Sequence, residues 1–132
     1  MSTPLAEIAA ALADVSPAWA DVVTVPSSDA ARATTLTRST EIQRGVEAIR
    51  EGWLLHRGAS RIAAGASPDL ALLIGDWSYA AGLVDIAEHG SLDDVAQLAE
   101  LVAQLSTQHE RPLAELEQHW DTTFETLAAA PS

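Results

Sequence analysis

The sequence predicts an all-α fold, a bundle of about five to six helices that forms one domain over residues 1–132. Apolar residues recur at helical spacing along most of the chain, and no segment alternates in the manner of a strand. Glycine and proline stand singly at the ends of these periodic segments rather than in long loops. A chain of 132 residues is also long enough to bury about 70% of its unfolded surface in a core.

Two short helices are predicted near the N-terminus. Thr3-Pro4 and Ser16-Pro17 each combine a side chain that can cap a helix with a proline suited to the first helical position. Residues 27–39 are small and polar, and they fit either a helical turn or a linker. The apolar side chains of the two helices are Leu5, Ile8 and Leu12 in the first, and Trp19, Val22 and Val23 in the second.

A longer helix is predicted from Thr40 to about His56, and its pattern also allows it to continue past Gly58 to Ile62. Thr40 and Gln43 form a capping-box pattern, in which each side chain can bond the backbone N–H of the other residue. The apolar face of this helix comprises Ile42, Val46, Ile49 and Trp53.

The most apolar segment, Ser67–Gly90, is predicted to be a buried helix around which the rest of the chain is organised. Ser67 can cap its N-terminus, Pro68 suits its first position, and Gly90 is expected to adopt a left-handed conformation at its C-terminus. One face of this helix carries only small residues, so another helix could approach it closely. These small residues are Ala71, Gly75, Ser78 and Gly82.

A membrane-spanning role for Ser67–Gly90 is disfavoured, because Asp76 and Asp85 interrupt the segment and a span needs about 20 mostly apolar residues. Asp76 is instead expected near the polar exit of the helix, at a dimer interface, or, as the favoured alternative, paired with an arginine within the chain or across an interface. The net charge of −12 would repel anionic lipid and nucleic-acid phosphates. We therefore expect no stable membrane insertion and no nucleic-acid partner. The N-terminus lacks the basic segment of a signal peptide, which predicts a cytoplasmic protein.

Two further helices are predicted in the C-terminal part of the chain. The first begins at Ser91, which forms a capping-box pattern with Asp94. The second follows Pro112, which removes a backbone donor and disfavours helix at the residue before it. Residues 128–132 are expected to form a frayed tail. The apolar faces comprise Val95, Leu98, Leu101, Val102 and Leu105 in the first helix, and Leu113, Leu116, Trp120, Phe124 and Leu127 in the second.

The sequence offers few candidates for catalysis. It has no cysteine, its four histidines are scattered, and Asp93-Asp94 fits the first turn of a helix better than a metal site. We therefore expect no catalytic residue and no metal-binding set in this chain.

The arginines are the main candidates for binding an anion. Six of the seven arginines lie between residues 32 and 61. Among them, Arg50, Arg57 and Arg61 fall at i, i+7 and i+11, so that one helical face could carry an anion-binding site. The alternative is that these arginines are solvated or pair with acidic helices of the same bundle.

Two segments resemble the trans-isoprenyl diphosphate synthase family. Residues 47–56, EAIREGWLLH, are similar to the family's helix that precedes its first aspartate-rich motif. Residues 72–82, LLIGDWSYAAG, are similar to a later family helix that contains an LxGD sequence. The helix from Ser91 resembles the one that follows, so the resemblance covers about residues 40–108. It implies a fold like a truncated isoprenoid synthase.

The departures from the family determine what the resemblance implies about function. Where the family has DDxxD, residues 57–61 read RGASR, which cannot hold the magnesium ions through which the family binds diphosphate. A second aspartate-rich helix does not occur in these 132 residues. The resemblance thus implies a non-catalytic small subunit, which pairs with a catalytic prenyl diphosphate synthase subunit and helps to set product chain length. This chain would hold no cofactor, and the catalytic partner would bind the magnesium.

In the family, the LxGD helix lies at the subunit interface. Together with the small-residue face, the resemblance predicts an interface formed by Ala71, Leu73, Gly75, Asp76, Trp77, Ser78 and Gly82. One alternative is a stand-alone homodimeric bundle that binds an apolar or prenyl-like ligand or acts as an interaction module. Another is an enzyme that uses the arginine face for a phosphate substrate.

Overall fold

The computed structural model describes residues 3–24 and 36–129, and these residues form six α-helices and no strand. The predicted all-α bundle of five to six helices is therefore confirmed. The helices are α1 (Pro4–Ala13), α2 (Pro17–Ala20), α3 (Thr40–His56), α4 (Pro68–His89), α5 (Leu92–Thr107) and α6 (Leu113–Ala129).

The predicted start signals of the first two helices are confirmed. The Thr3 hydroxyl accepts a hydrogen bond from the N–H of Ala6 at 3.2 Å, and the Ser16 hydroxyl accepts one from Trp19 at 3.3 Å. The apolar face of α1, which includes Leu5 and Leu12, is buried. Capping and apolar periodicity thus fix the position of α1 as the sequence predicts.

The central element of the bundle is α3, and the expectation that Ser67–Gly90 is the buried organising helix is wrong. Twelve of the 17 residues of α3 are buried, whereas only five of the 22 residues of α4 are. The cap of α3 also differs from the prediction, because the Ser39 hydroxyl, and not that of Thr40, accepts the hydrogen bond from the N–H of Ile42. A long apolar helix in sequence therefore lies at the side of the bundle, and a more polar one lies at its centre.

Helices α3 and α4 are antiparallel and pack with their backbones in contact. Gly45 of α3 faces Gly82 of α4, and Gly52 faces Gly75. A Cβ atom at position 82 would lie 2.6 Å from the carbonyl oxygen of Gly45, so only glycine permits this approach. Both helices carry these glycines seven residues apart, which aligns two close contacts along one pair of helices.

The predicted end of α3 at about His56 is confirmed, whereas the left-handed conformation predicted for Gly90 is wrong. Helix α3 stops at His56 and does not continue to Ile62, because Gly58 adopts a left-handed φ of 70° and turns the chain. At the end of α4, Gly90 has an extended conformation with φ of −108°, and not the left-handed one that was predicted.

Two buried apolar clusters lie on opposite sides of α3. One joins α3 to α5 and α6, where the rings of Trp53 and Trp120 lie 5.5 Å apart. The other joins α3 to α1 and to the start of α4, through residues such as Leu55 and Ile74. This placement explains why α3 carries buried apolar residues on two sides.

The segment predicted as a linker, residues 27–39, falls largely outside the described residues. Its last four residues are described, and there Leu36 is buried in the larger cluster. Arg38 is also buried, and its guanidinium donates to both carboxylate oxygens of Asp94 and to the carbonyl of Leu127. Residues 36–39 therefore belong to the folded bundle and are not part of a free linker.

The C-terminal helices begin where the sequence predicts. Ser91 and Asp94 form the expected capping box at the start of α5, and α6 begins after Pro112. Arg38 adds a charge partner to this cap, and its hydrogen bonds hold the pKa of Asp94 below the ordinary value. Of the predicted tail, residues 128 and 129 lie in α6 and residues 130–132 lie outside the described part of the chain.

Candidate functional site

The small-residue face of α4 is occupied by α3 of the same chain. Gly75 and Gly82 contact the backbone of α3, and the buried hydroxyl of Ser78 donates to the carbonyl of Ala48 at 2.6 Å. The prediction of a closely approaching helix is confirmed, but the assignment of Gly75, Ser78 and Gly82 to an interface with another subunit is wrong. Their surface is already buried, so a second chain cannot contact it.

Helix α4 instead presents an exposed apolar surface on its opposite side. Of the six exposed large apolar side chains in the described residues, four lie on α4, and each of the four is at least 40% exposed. A fifth, Leu92, lies at the start of α5. The outer face of α4 is formed by Leu72, Leu73, Asp76, Ala80, Leu83, Val84 and Ala87.

The remaining predicted interface residues divide between the two sides of α4. Leu73 and Asp76 lie on the outer face. Ala71 and Trp77 are half-buried and pack against the cluster that includes α1, where Trp77 meets Trp19 edge-on at 6.4 Å. The predicted interface did not include Leu83, because it was assigned from the small residues, and these lie on the opposite side of α4.

Asp76 pairs with a histidine and not with the arginine that was expected. Its carboxylate lies 3.0 Å from Nε2 of His56, and its side chain is 72% exposed. The His56 ring packs edge-on against Tyr79 at 5.2 Å. Burial, together with the nearby Asp76 charge, raises the pKa of Tyr79 to about 12, so its hydroxyl remains protonated at neutral pH.

The three arginines predicted to share an anion-facing surface do not lie on one face. Arg61 lies beyond the end of α3 and folds back on it, where it donates to the fully buried carboxylates of Glu47 at 2.7 Å and Glu51 at 2.8 Å. Glu51 also accepts from the Ser60 hydroxyl. Because buried carboxylates are costly without partners, this arrangement fixes the loop after α3.

Arg50 is likewise used inside the bundle. Its Nη2 donates to Glu117 at 2.9 Å, and its guanidinium lies 5.7 Å from the Trp53 ring and 5.2 Å from the Trp120 ring. Such cation–π contacts tie α3 to α6. The alternative of internally paired arginines is therefore confirmed for Arg50 and Arg61, and the single anion-facing surface that the spacing suggested does not form.

Arg57 differs from these arginines because it lines an open cleft. The cleft has a volume of about 440 Å³ and lies between the end of α3, the first half of α4 and the end of α5. It brings together His56 and His109, which the sequence gave no reason to associate. The lining residues are Trp53, His56, Arg57, Leu72, Tyr79, Leu105, Ser106 and His109.

Two global features bear on the function of the described residues. No group of three or more potential metal-binding side chains occurs among them. Within the same residues, α4 alone is long and apolar enough to cross a membrane, with a mean hydropathy of 1.4 over an 18-residue window that is 28% buried. Core helices of soluble proteins share this length and composition, so α4 by itself does not establish a membrane span.

Comparison with known proteins gives no match for this chain among protein-family models, curated proteins or solved structures.

Proposed function

We propose that this chain is a non-catalytic accessory subunit, which docks through the outer face of α4 onto a catalytic, helical partner. The observation that carries the proposal is the concentration of exposed large apolar side chains on this one helix. A contiguous exposed apolar surface on a small domain is typical of a site that binds another molecule. A helical partner suits it, because a straight helix face packs well against the groove between two other helices.

The charges around the outer face favour a different protein over a second copy of this chain or a lipid surface. Asp76 is exposed on the outer face, and Asp69 is exposed at its N-terminal end. Glu88 and Asp93 are exposed beside it. Two copies packed face to face would bring these acids together, and an anionic membrane would repel them. A partner with an apolar groove and a basic rim would be complementary in both respects.

The resemblance to trans-isoprenyl diphosphate synthases supports the identity that we propose for the partner, namely a catalytic prenyl diphosphate synthase. The two similar segments, residues 47–56 and 72–82, lie in α3 and α4, which pack directly together. In place of the aspartate-rich motif, Arg57 caps the end of α3 and Arg61 pairs with buried glutamates. Such residues fit a structural part and not a metal-dependent one, so the role would be to help set product length, with magnesium bound by the partner.

The test is co-expression with a prenyl diphosphate synthase from the same genome. We expect the two chains to copurify and the product length to change when this chain is present. The double substitution Leu73→Glu and Val84→Glu should weaken the complex at least about thirtyfold, since it places charges in the centre of the interface. Val15→Glu is the matched control, because Val15 is 43% exposed and follows α1 rather than belonging to α4.

Three results would contradict this proposal. The first is a failure to copurify combined with an unchanged product length. The second is a stable homodimer in light scattering that the same double substitution dissociates, which would favour the stand-alone homodimer with an apolar ligand. The third is co-flotation of the isolated chain with vesicles, which would assign the outer face to a membrane.

A further inference from the structure

The cleft beside α4 is lined by cationic and hydrogen-bond-donating side chains. His56 and Arg57 come from the end of α3, and His109 comes from the segment after α5. None of the eight lining residues is acidic, although the chain contains 19 Asp and Glu residues and has a net charge of −12. A lining of this kind in so acidic a chain points to a ligand that carries negative charge.

Among the described arginines, Arg57 is the one that lacks a carboxylate partner. Each of the other five arginines in residues 36–129 lies within 4.0 Å of an aspartate or glutamate oxygen. Nη2 of Arg57 donates to the carbonyl of Arg111, while its Nη1 is buried and has no hydrogen-bond partner among the described residues. An anion in the cleft would therefore supply the charged acceptor that the guanidinium of Arg57 lacks.

A second donor of the cleft lining is also unsatisfied. The indole Nε1 of Trp53 is buried without a hydrogen-bond partner in the described part of the chain. Tyr79, whose pKa is raised by burial to about 12, belongs to the same cleft lining. Leu72 and Leu105 are the aliphatic members of the same lining. The cleft therefore combines donors for an anionic group with a surface for an apolar chain.

We propose that this cleft binds an organic anion, in which a phosphate or carboxylate group is attached to a short apolar chain. The anionic group would contact the guanidinium of Arg57, together with His109. The apolar chain would lie along Leu72 and Leu105. A volume of about 440 Å³ falls within the range of about 300–1,000 Å³ that is typical of small-molecule sites. Asp76 contacts His56 but is not a lining residue of the cleft, and its carboxylate does not pair with Arg57.

This site does not depend on the docking of a partner, so it can be tested with the isolated chain. The probes are octyl phosphate, octanoate, octanol and inorganic phosphate, measured by isothermal titration calorimetry. We expect saturable 1:1 binding of octyl phosphate or octanoate, and the tighter of the two identifies the anionic group. Octanol and inorganic phosphate should each bind at least about tenfold more weakly, because each lacks one half of the contacts.

Two substitutions in the cleft provide the residue-level test. Arg57→Gln should weaken binding of the tighter probe at least about tenfold. His109→Gln should weaken binding of the same probe about threefold. This variant should fold even if Arg57→Gln does not, because His109 is exposed and lies beyond the end of α5. Arg111→Gln is the matched control, since Arg111 is a nearby exposed cation that does not line the cleft.

The proposal is overturned if neither amphiphile binds saturably, or if octanol binds as tightly as the charged probes. It is also overturned if Arg111→Gln weakens binding as much as the cleft substitutions do, because attraction to general surface charge would then explain the result. If the isolated chain binds the amphiphile but no prenyl synthase copurifies with it, the first result supports the cleft and the second contradicts the accessory-subunit role.

Discussion

The two faces of α4 differ in the size of their side chains and in what those side chains contact. On the inner face, Gly75, Ser78 and Gly82 lie against the backbone of α3. On the outer face, Leu73 and Val84 are more than half exposed. The difference shows that a row of small residues need not mark a subunit interface. Here a second helix of the same chain carries matching glycines, so the two helices pack through them internally, and the face with large side chains is left exposed.

The strongest test of this contrast places the same leucine on each face. Gly82→Leu should lower the free energy of unfolding by at least about 3 kcal/mol, because even a Cβ at this position would lie 2.6 Å from the carbonyl of Gly45. The gain in helix propensity from replacing glycine, about 1 kcal/mol, does not offset this collision. Urea unfolding followed by circular dichroism provides the measurement.

Ala80→Leu is the matched control, because Ala80 is exposed on the outer face two residues away. We expect its free energy of unfolding to stay within about 0.5 kcal/mol of that of the unsubstituted chain. If both leucine variants unfold equally easily, α3 and α4 do not pack through their glycines.

The local pattern of the sequence predicts most helices, whereas their arrangement depends on pairings between distant segments. Capping by Thr3, Ser16 and Ser91 and the break at Pro112 are all local signals, and the structure confirms them. The central position of α3 is not a local property. The polar residues of α3 lower its overall hydrophobicity, so the sequence alone does not indicate burial. Glu51 is nevertheless buried, because Arg61 from the loop after α3 pairs with its carboxylate. The shared seven-residue glycine spacing of α3 and α4 was the one available signal for their pairing.

The candidate sites were less predictable than the fold. Of the residues predicted to form an interface, Leu73 and Asp76 are exposed on α4, whereas the glycines assigned with them are buried against α3. The arginine face failed because the prediction required α3 to continue past Gly58, where the backbone turns with a positive φ. His56 and His109 line the same cleft because of the packing of α4 and α5. No spacing within the sequence indicates that these two residues come together.

A second test compares two adjacent apolar residues of α4. Ile74 is fully buried, and Leu73 is 60% exposed. Ile74→Ala should lower the free energy of unfolding by about 2–5 kcal/mol, because it removes buried apolar surface and leaves a cavity. Leu73→Ala should change it by less than about 0.5 kcal/mol, since no tightly packed surroundings are lost. Thermal and urea unfolding of the two variants would show whether the division between the faces is as sharp as the burial suggests. Equal losses would mean that the outer face is covered within the chain.

The smallest expected effect concerns the two aspartates of α4. Asp85 accepts two hydrogen bonds from Arg44, at 2.8 and 2.7 Å, whereas Asp76 bonds His56 with its side chain 72% exposed. The hydrogen bonds to Asp85 hold the pKa of Arg44 above its ordinary value despite some desolvation. A raised pKa gives a contribution to stability that is fully present below the unfolded-state pKa of arginine, which lies far above neutral pH, so the contribution is complete at pH 7.

Asp85→Asn should therefore cost about 1–2 kcal/mol at pH 7, because it keeps the shape of the side chain but removes its charge from a partly buried pair. Asp76→Asn should cost less than about 0.5 kcal/mol, since exposed ion pairs contribute little. Both values follow from urea unfolding at neutral pH. The same Asp76 substitution should alter the affinity of a docked partner, because its carboxylate lies at the centre of the outer face and faces any basic groups of that partner. An aspartate that matters for binding but not for folding would separate the two faces of α4, whereas a large loss of stability from Asp76→Asn would place both aspartates in the same internal network.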